Sequence, residues 1–210
     1  MVSKMKRLLT DLMMFAALAV VFSAMTGCGN SVDTTNSTSA SNSATNGVAQ
    51  KKASSSDFPP LASGLADAEV AMVDGTKFKI SDKKGKVLLI NIWGTWCGPC
   101  IAEMPHLIEL QNKHGEQGFE VIGLNIGDGS GTPEPLDDIK EFVAKQKLNY
   151  TIAIASNAVT NQFYQITKEK VVPQTILVDR EGKLRGVFVG GGPRIFSSMK
   201  QNVEKVIGEG

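Results

Sequence analysis

The sequence predicts an α/β fold in which a central mixed β-sheet is flanked by helices. Two continuous apolar runs, Val87–Trp93 (VLLINIW) and Phe119–Asn125 (FEVIGLN), are typical of strands buried on both faces. Between them, Glu103–His114 carries apolar residues at helical spacing. Strands that alternate with helices in this way form a mainly parallel sheet with helices on both of its faces.

The other elements complete the alternation. Ala68–Val73 and Thr76–Ile80 flank Asp74-Gly75, a turn signal that indicates an N-terminal β-hairpin extension. A loop rich in Gly and Pro at 127–135 follows the second buried strand. The later elements are a helix, a strand, a helix, a closing pair of antiparallel strands and a last helix, predicted at Leu136–Lys147, Tyr150–Ala155, Ser156–Gln165, Thr175–Asp179, Lys183–Val189 and Pro193–Val206. We therefore expect one domain over residues 58–210.

Residues 1–27 are predicted to be an export signal. Three basic residues precede the uncharged stretch Leu12–Met25. Its 14 residues are fewer than the roughly 20 that span a bilayer, but they suit the apolar core of a signal peptide. The segment Met25-Thr26-Gly27-Cys28 resembles the lipobox of bacterial lipoproteins, although Met25 stands where Leu is usual. That resemblance implies cleavage before Cys28, lipidation of Cys28, and export to the periplasm or the cell surface. Cleavage by the ordinary signal peptidase and an uncleaved anchor are the alternatives.

Residues 28–57 are predicted to be a lipid-anchored, flexible tether. From Gly29 to Ser56, 16 of the 28 residues are Ser, Thr or Asn, and none is aromatic. Such a segment buries too little apolar surface to offset the entropy of ordering it. A low-complexity tail without a role is the alternative.

Composition excludes several classes of protein. The 210 residues are 42% hydrophobic and 20% charged, which is ordinary for a globular domain. The formal net charge of +1 offers no basic surface for nucleic acid, so we expect none to bind. Three cysteines are too few for a disulfide scaffold. If Cys28 carries lipid, Cys97 and Cys100 remain as a pair.

The segment Cys97-Gly98-Pro99-Cys100 lies where a buried strand ends and a helix begins. A helix N-terminus presents free N–H groups and a positive dipole end, which lower the pKa of a thiol there. Cys97 is therefore the predicted nucleophile, and Cys100, expected to be more buried, is the resolving thiol. A zinc site would need two further ligands, and a c-type haem would need His at position 101. A copper-delivery protein would show a wider Cys spacing. We expect no metal and no cofactor, and a purely structural disulfide is the other alternative.

The motif identifies a family. Trp93–Pro105 (WGTWCGPCIAEMP) resembles the signature W-x-x-W-C-x-P-C-x-x-E-x-P of the TlpA/ResA group of membrane-tethered thioredoxin-like proteins. The resemblance extends over nearly the whole domain. It implies a thioredoxin-like fold and an extracytoplasmic thiol–disulfide oxidoreductase, usually a disulfide reductase and often one that serves cytochrome c maturation. Its partners would be protein disulfides, such as those of apocytochrome c, and a membrane thiol electron donor of the DsbD/CcdA kind. We expect a monomer.

The resemblance also implies roles for residues near the two cysteines. Val172-Pro173 matches the cis-proline site, whose backbone meets the substrate chain; an ordinary trans proline is the alternative. Gln174 departs from the Thr that is common next, which leaves the hydrogen bonds there open. Trp96 is expected to be partly exposed beside Cys97 and to contact substrate, whereas Trp93 belongs to the core.

Glu103 is the predicted proton acceptor for Cys100. Thioredoxin places a buried Asp six residues before its first Cys, and this chain has Asn91 there, which cannot titrate. Glu103 lies one turn after Cys100 and replaces that carboxylate in our hypothesis. A solvated helix charge is the alternative.

Two other functions must be weighed. A peroxiredoxin-like thiol peroxidase shares the fold but needs Thr three residues before its reactive Cys, where this chain has Gly94. A tethered binding or chaperone module would carry the disulfide without turnover.

Overall fold

The computed structural model describes residues 55–209, built around a seven-stranded mixed sheet. The strands are β1 (Glu69–Met72), β2 (Lys77–Lys79), β3 (Val87–Trp93), β4 (Phe119–Asn125), β5 (Thr151–Ile154), β6 (Gln174–Val178) and β7 (Leu184–Val189). They lie in the order β2-β1-β5-β4-β3-β6-β7. The neighbours β3, β4 and β5 are parallel and the remaining neighbours are antiparallel. The predicted α/β class with a mixed sheet is confirmed.

Helices cover both faces of this sheet. They are α1 (Ser63–Ala66), α2 (Gly98–His114), α3 (Leu136–Gln146), α4 (Asn157–Thr167) and α5 (Pro193–Ile207). Because side chains alternate along a strand, Ile90 of β3 packs in a cluster with Phe163 of α4. Leu89, on the opposite face, packs with Leu107 of α2 and Val203 of α5.

An antiparallel pair extends the sheet beyond β5. Strand β1 pairs with β2, with Val70 opposite Phe78, and joins the parallel strands through β5. The turn between β1 and β2 contains Gly75 at φ 87°, a conformation that glycine adopts without steric cost. The Asp74 carboxylate holds this turn by accepting a hydrogen bond from the Thr76 N–H at 2.9 Å.

Strand direction separates the two ends of the domain. β3 runs towards Cys97, and the antiparallel β6 starts at that same end, with Gln174 opposite Ile92. The turn between β6 and β7 therefore lies at the far end of the sheet. There the incoming chain is tied down, because the Leu61 N–H donates to the Gly182 carbonyl at 2.9 Å.

One buried guanidinium joins the two ends of the described chain. Arg185 of β7 binds the Asp179 carboxylate at 3.1 Å and also binds the carboxylate of Glu209. Its Cζ lies 4.0 Å from the centre of the Phe58 ring. The first and last parts of the domain thus meet at Arg185, away from Cys97.

The predicted signal segment, Cys28 and most of the predicted tether lie outside the described residues. A single 3-10 turn, Ser55–Asp57, covers the last positions of that tether. Across residues 55–209, no helix is both long enough and apolar enough to cross a membrane.

Candidate active site

Cys97 and Cys100 form a disulfide with an S–S distance of 2.06 Å. Cys97 is the N-cap of α2, and its Sγ accepts a hydrogen bond from the Cys100 N–H at 3.2 Å. The helix begins at Gly98 rather than at the predicted Glu103, since the apolar periodicity that marks it starts only at Met104. Pro99 fits the first turn, where a helix has no use for the missing N–H.

The two cysteines are buried alike in this oxidised state. Cys97 is 3% exposed and Cys100 is 2% exposed, so the expected contrast in burial is negligible. Both belong to a buried cluster that includes Trp93 and Met104, and Val172 packs against this cluster. An incoming group can therefore reach the sulfurs only by contacting the residues around them.

Glu103 of α2 is held in the core by side chains of two strands. It is 1% exposed, and its Oε2 accepts a hydrogen bond from Asn91 Nδ2 at 3.1 Å. Thr175 Oγ1 donates to Glu103 Oε1 at 3.4 Å, and Asn91 Nδ2 also donates to Thr175 Oγ1 at 2.9 Å. Asn91 and Thr175 are directly opposite in the pairing of β3 with β6. A cross-strand polar pair thus supports one carboxyl group of α2.

Burial dominates the electrostatics of Glu103. It raises the pKa of this carboxyl to about 7, against the opposing effect of the Thr175 and Asn91 hydrogen bonds. No cation pairs with it among residues 55–209. Burial, together with the Glu103 charge, also raises the pKa of Tyr150. The alternative of a solvated helix charge is therefore wrong for Glu103, and the expected buried, hydrogen-bonded Asn91 is confirmed.

The peptide bond between Val172 and Pro173 is cis, as predicted. The structure also shows which hydrogen bonds form at Gln174, which stands where Thr is common. Its Nε2 donates to the carbonyls of Val171 at 2.7 Å and Glu169 at 2.9 Å. The side chain of Gln174 thereby fixes the segment that leads into Val172.

Trp96 is next to Cys97 in the chain and is 49% exposed, whereas Trp93 is fully buried, so the expected exposure of both indoles is confirmed. The indole Nε1 of Trp96 donates to the Gly127 carbonyl at 2.9 Å. A Cβ added at Gly94 would lie 2.5 Å from this Nε1, so the indole needs a glycine below it.

The loop after β4 also holds the residue before Trp96, since Glu134 Oε1 accepts from the Thr95 N–H at 3.2 Å. Sequence reasoning missed Thr175, Gly127 and Glu134. Glycine inside a loop that follows a buried strand was the one available signal.

Comparison with known proteins identifies the family. The model of the Redoxin family matches residues 51–207. The chain belongs to the Redoxin family. Among its curated relatives, the thiol-disulfide oxidoreductase ResA of Geobacillus thermodenitrificans is 28% identical over 146 residues, 70% of this chain and 78% of the relative. The ResA of Bacillus cereus is 32% identical over 121 residues, 58% of this chain and 65% of that relative.

A solved structure at 26% identity shows the same fold. A putative thiol:disulfide interchange protein DsbE from Chlorobium tepidum superposes with a TM-score of 0.58 at 26% identity, covering 71% of this chain and 96% of that one. The TlpA/ResA-like identity and the thioredoxin-like fold predicted from the motif are confirmed. Within this family, the Cys97–Cys100 pair assigns thiol–disulfide oxidoreductase chemistry to the site.

Proposed function

We propose that this protein is an exported disulfide reductase in which Cys97 attacks a protein disulfide and Cys100 completes the reaction. The observation that carries the proposal is the position of Cys97 as the N-cap of α2, with its Sγ accepting the Cys100 N–H. A thiolate at that atom gains the same hydrogen bond and the positive end of the helix dipole.

The reaction conserves sulfur, protons and electrons in two exchanges. The Cys97 thiolate attacks one substrate sulfur, which forms a mixed disulfide and releases the other substrate sulfur as a thiolate. The Cys100 thiolate then attacks Cys97 Sγ, which releases the second substrate sulfur. Two electrons pass to the substrate, and the enzyme is left with the Cys97–Cys100 disulfide seen in the structure.

Glu103 accepts the proton that Cys100 must lose before it can attack. A base works best when its pKa is near the working pH, and burial gives the Glu103 carboxyl a pKa of about 7. The carboxyl lies one helical turn from Cys100 and is aligned by Asn91 and Thr175.

Trp96, Val172 and Pro173 form the surface on which the substrate chain lies. The exposed indole of Trp96 offers an apolar face beside Cys97. Val172, which precedes the cis Pro173, packs against the buried cluster that contains both cysteines. A substrate chain that contacts Trp96 and Val172 brings its disulfide to Cys97.

One sequence feature supports reduction as the physiological direction. The Gly-Pro pair between the cysteines is that of thioredoxin, whose potential is about −270 mV, whereas the oxidant DsbA lies at about −120 mV. A reductase in an oxidising compartment needs electrons, for which we propose a membrane thiol donor of the DsbD/CcdA kind. Apocytochrome c is the proposed substrate. A measured potential above about −150 mV would instead indicate an oxidase or isomerase.

Export and anchoring are part of the proposal. Residues 1–27 would be the signal, Cys28 the lipidated residue, and residues 28–57 the tether of a monomeric domain. Metabolic labelling with a radioactive fatty acid tests this, because label should enter the wild type and be absent from Cys28→Ser. Label in both proteins would contradict anchoring at Cys28.

Trapping tests the substrate and the donor together. In Cys100→Ser, Cys97 should accumulate mixed disulfides, which mass spectrometry of the captured proteins identifies. Cys97→Ser is the matched control and should capture none of them. Equal capture by both variants, or no reduction of any protein disulfide by the wild type, would favour a structural disulfide instead.

Gly94 is the reason that we favour a reductase over the peroxidase alternative. A thiol peroxidase of this fold needs Thr at position 94. A side chain there would begin 2.5 Å from Trp96 Nε1, so the indole could not keep its place.

A further inference from the structure

A cavity of about 390 Å³ opens beside the disulfide and has no role in the chemistry described so far. It shares Trp96 and Val172 with the proposed substrate surface. Its other walls come from the loop after β4, from α4 and from the segment that follows α4, and include Ile126, Asn157, Asn161 and Lys170. A substrate chain that lies along Val172 therefore passes its mouth.

The wall formed by the loop after β4 is fixed by its own hydrogen bonds. Gly127 has φ 83°, and its carbonyl accepts the Trp96 indole N–H. Asp128 Oδ1 accepts from the N–H groups of Ser130 at 2.8 Å and Thr132 at 2.9 Å. A wall that is already ordered loses little entropy when a ligand enters.

The polar groups of the cavity differ in whether they already form hydrogen bonds or ion pairs within the protein. The Asp128 carboxylate accepts from the Ser130 hydroxyl at 2.7 Å as well as from the N–H groups of its own loop, and these hydrogen bonds lower its pKa. Lys170 is exposed and forms no ion pair within residues 55–209. The exposed amides of Asn157 and Asn161 add N–H donors on the α4 side.

We propose that this cavity is a subsite for an acidic side chain that lies within two residues of the disulfide in the substrate protein, with Lys170 as its charge partner. The proposal rests on the proposed reductase function and adds a substrate class to it. The site would select among disulfides by their flanking charge, while the exchange at Cys97 stays the same.

The test uses synthetic peptides, each with one disulfide and a single varied residue, Asp, Asn or Lys, placed on either side of the half-cystine in turn. We expect the wild type to reduce the Asp peptide with a kcat/KM about two- to fivefold above that of the Lys peptide, as for one exposed ion pair. Lys170→Gln should abolish this preference and Lys170→Glu should reverse it. The preference should fall as salt is added.

Two further variants distinguish an effect of the cavity from an effect of the positive charge of the surrounding surface. Lys168→Gln removes a lysine two positions away that does not line the cavity, and it should keep the preference. Asn161→Trp fills the cavity from an exposed position and should lose the preference, yet still reduce a small aromatic disulfide at the wild-type rate. Equal rates for all peptides, or equal effects of the Lys168 and Lys170 variants, would overturn the subsite. Failure to reduce any peptide would instead overturn the proposed function.

Discussion

Asn91 Nδ2 donates a hydrogen bond to Glu103 Oε2 at 3.1 Å inside the core. The carboxylate that this amide supports has no ion-pair partner in the described part of the chain. A neutral amide stabilises the charge less than a cation would, so burial keeps control of the Glu103 pKa. The position that holds a titrating Asp in thioredoxin here supports a titrating group on the adjacent helix.

Replacing Glu103 should change the pH dependence of turnover. Because Glu103 would take the Cys100 proton only when ionised, reduction of a model disulfide should accelerate as the pH rises through about 7. Glu103→Gln should lose this dependence and turn over roughly 10²-fold more slowly. Glu109→Gln, on the same helix but exposed and bound to Lys200, is the control and should behave as the wild type. Superimposable profiles for the two variants would rule out the proton-acceptor role.

The same carboxyl should make the oxidised protein less stable as pH rises. Its folded pKa of about 7 lies above the ordinary value of 4.5. As the pH rises, the unfolded chain therefore loses this proton at a lower pH than the folded protein does. The contribution is fully present below about pH 4.5 and is lost as the pH passes through 7. Relative to Glu103→Gln, the free energy of unfolding of the wild type should fall by about 3 kcal/mol over this range. Urea unfolding of both oxidised proteins at several pH values measures the difference, and a pH-independent difference would contradict the buried titration.

Thr175 should tune the Glu103 carboxyl. Its hydroxyl favours the charged form, so Thr175→Val should move the Glu103 pKa further upwards, by up to about one unit for one hydrogen bond. The midpoint of the pH–rate profile reports this shift. Thr151→Val is a matched control, since the Thr151 hydroxyl also donates to a carboxylate, that of Glu120 at 3.0 Å, outside the site. A midpoint that moves equally in both variants would assign the effect to general loosening of the sheet.

Gly127 should be the position in its loop that least tolerates a side chain. A Cβ there would lie 2.2 Å from the Thr132 carbonyl oxygen, and φ is 83°. We expect Gly127→Ala to lower stability by about 1–3 kcal/mol and to raise KM, because Trp96 loses its acceptor. Gly129→Ala, where nothing lies within 4 Å of the new Cβ, should keep the stability and the Trp96 fluorescence of the wild type. Equal stabilities of the two variants would show that Gly127 carries no strain.

The sequence was informative wherever one short segment determines the outcome. The run Val87–Trp93 is itself the buried strand, and the motif that follows it placed Cys97 at the start of a helix. Ser156 caps α4 as its residue type predicts, accepting the Val159 N–H at 3.3 Å. Local chemistry determines such features, so reading one segment suffices.

Contacts between residues that are far apart in the sequence could not be predicted in this way. Thr175 reaches Glu103 only because β6 pairs with β3 in a register that places it opposite Asn91. Glu134 meets the Thr95 N–H across 39 positions of chain. Neither contact can be predicted from the residues that flank it in the sequence. The burial of Glu103, and hence its raised pKa, depends on the same three-dimensional arrangement.

The position of the Arg185 guanidinium has a practical consequence. Phe58 and Glu209 both contact this guanidinium, and the disulfide lies at the opposite end of β3. A fusion partner, an affinity tag or an electrode linker joined to either terminus of the domain would therefore leave from the side away from the cysteines. Such a surface-immobilised domain would present its disulfide to solution, which suits direct electrochemistry of the redox pair.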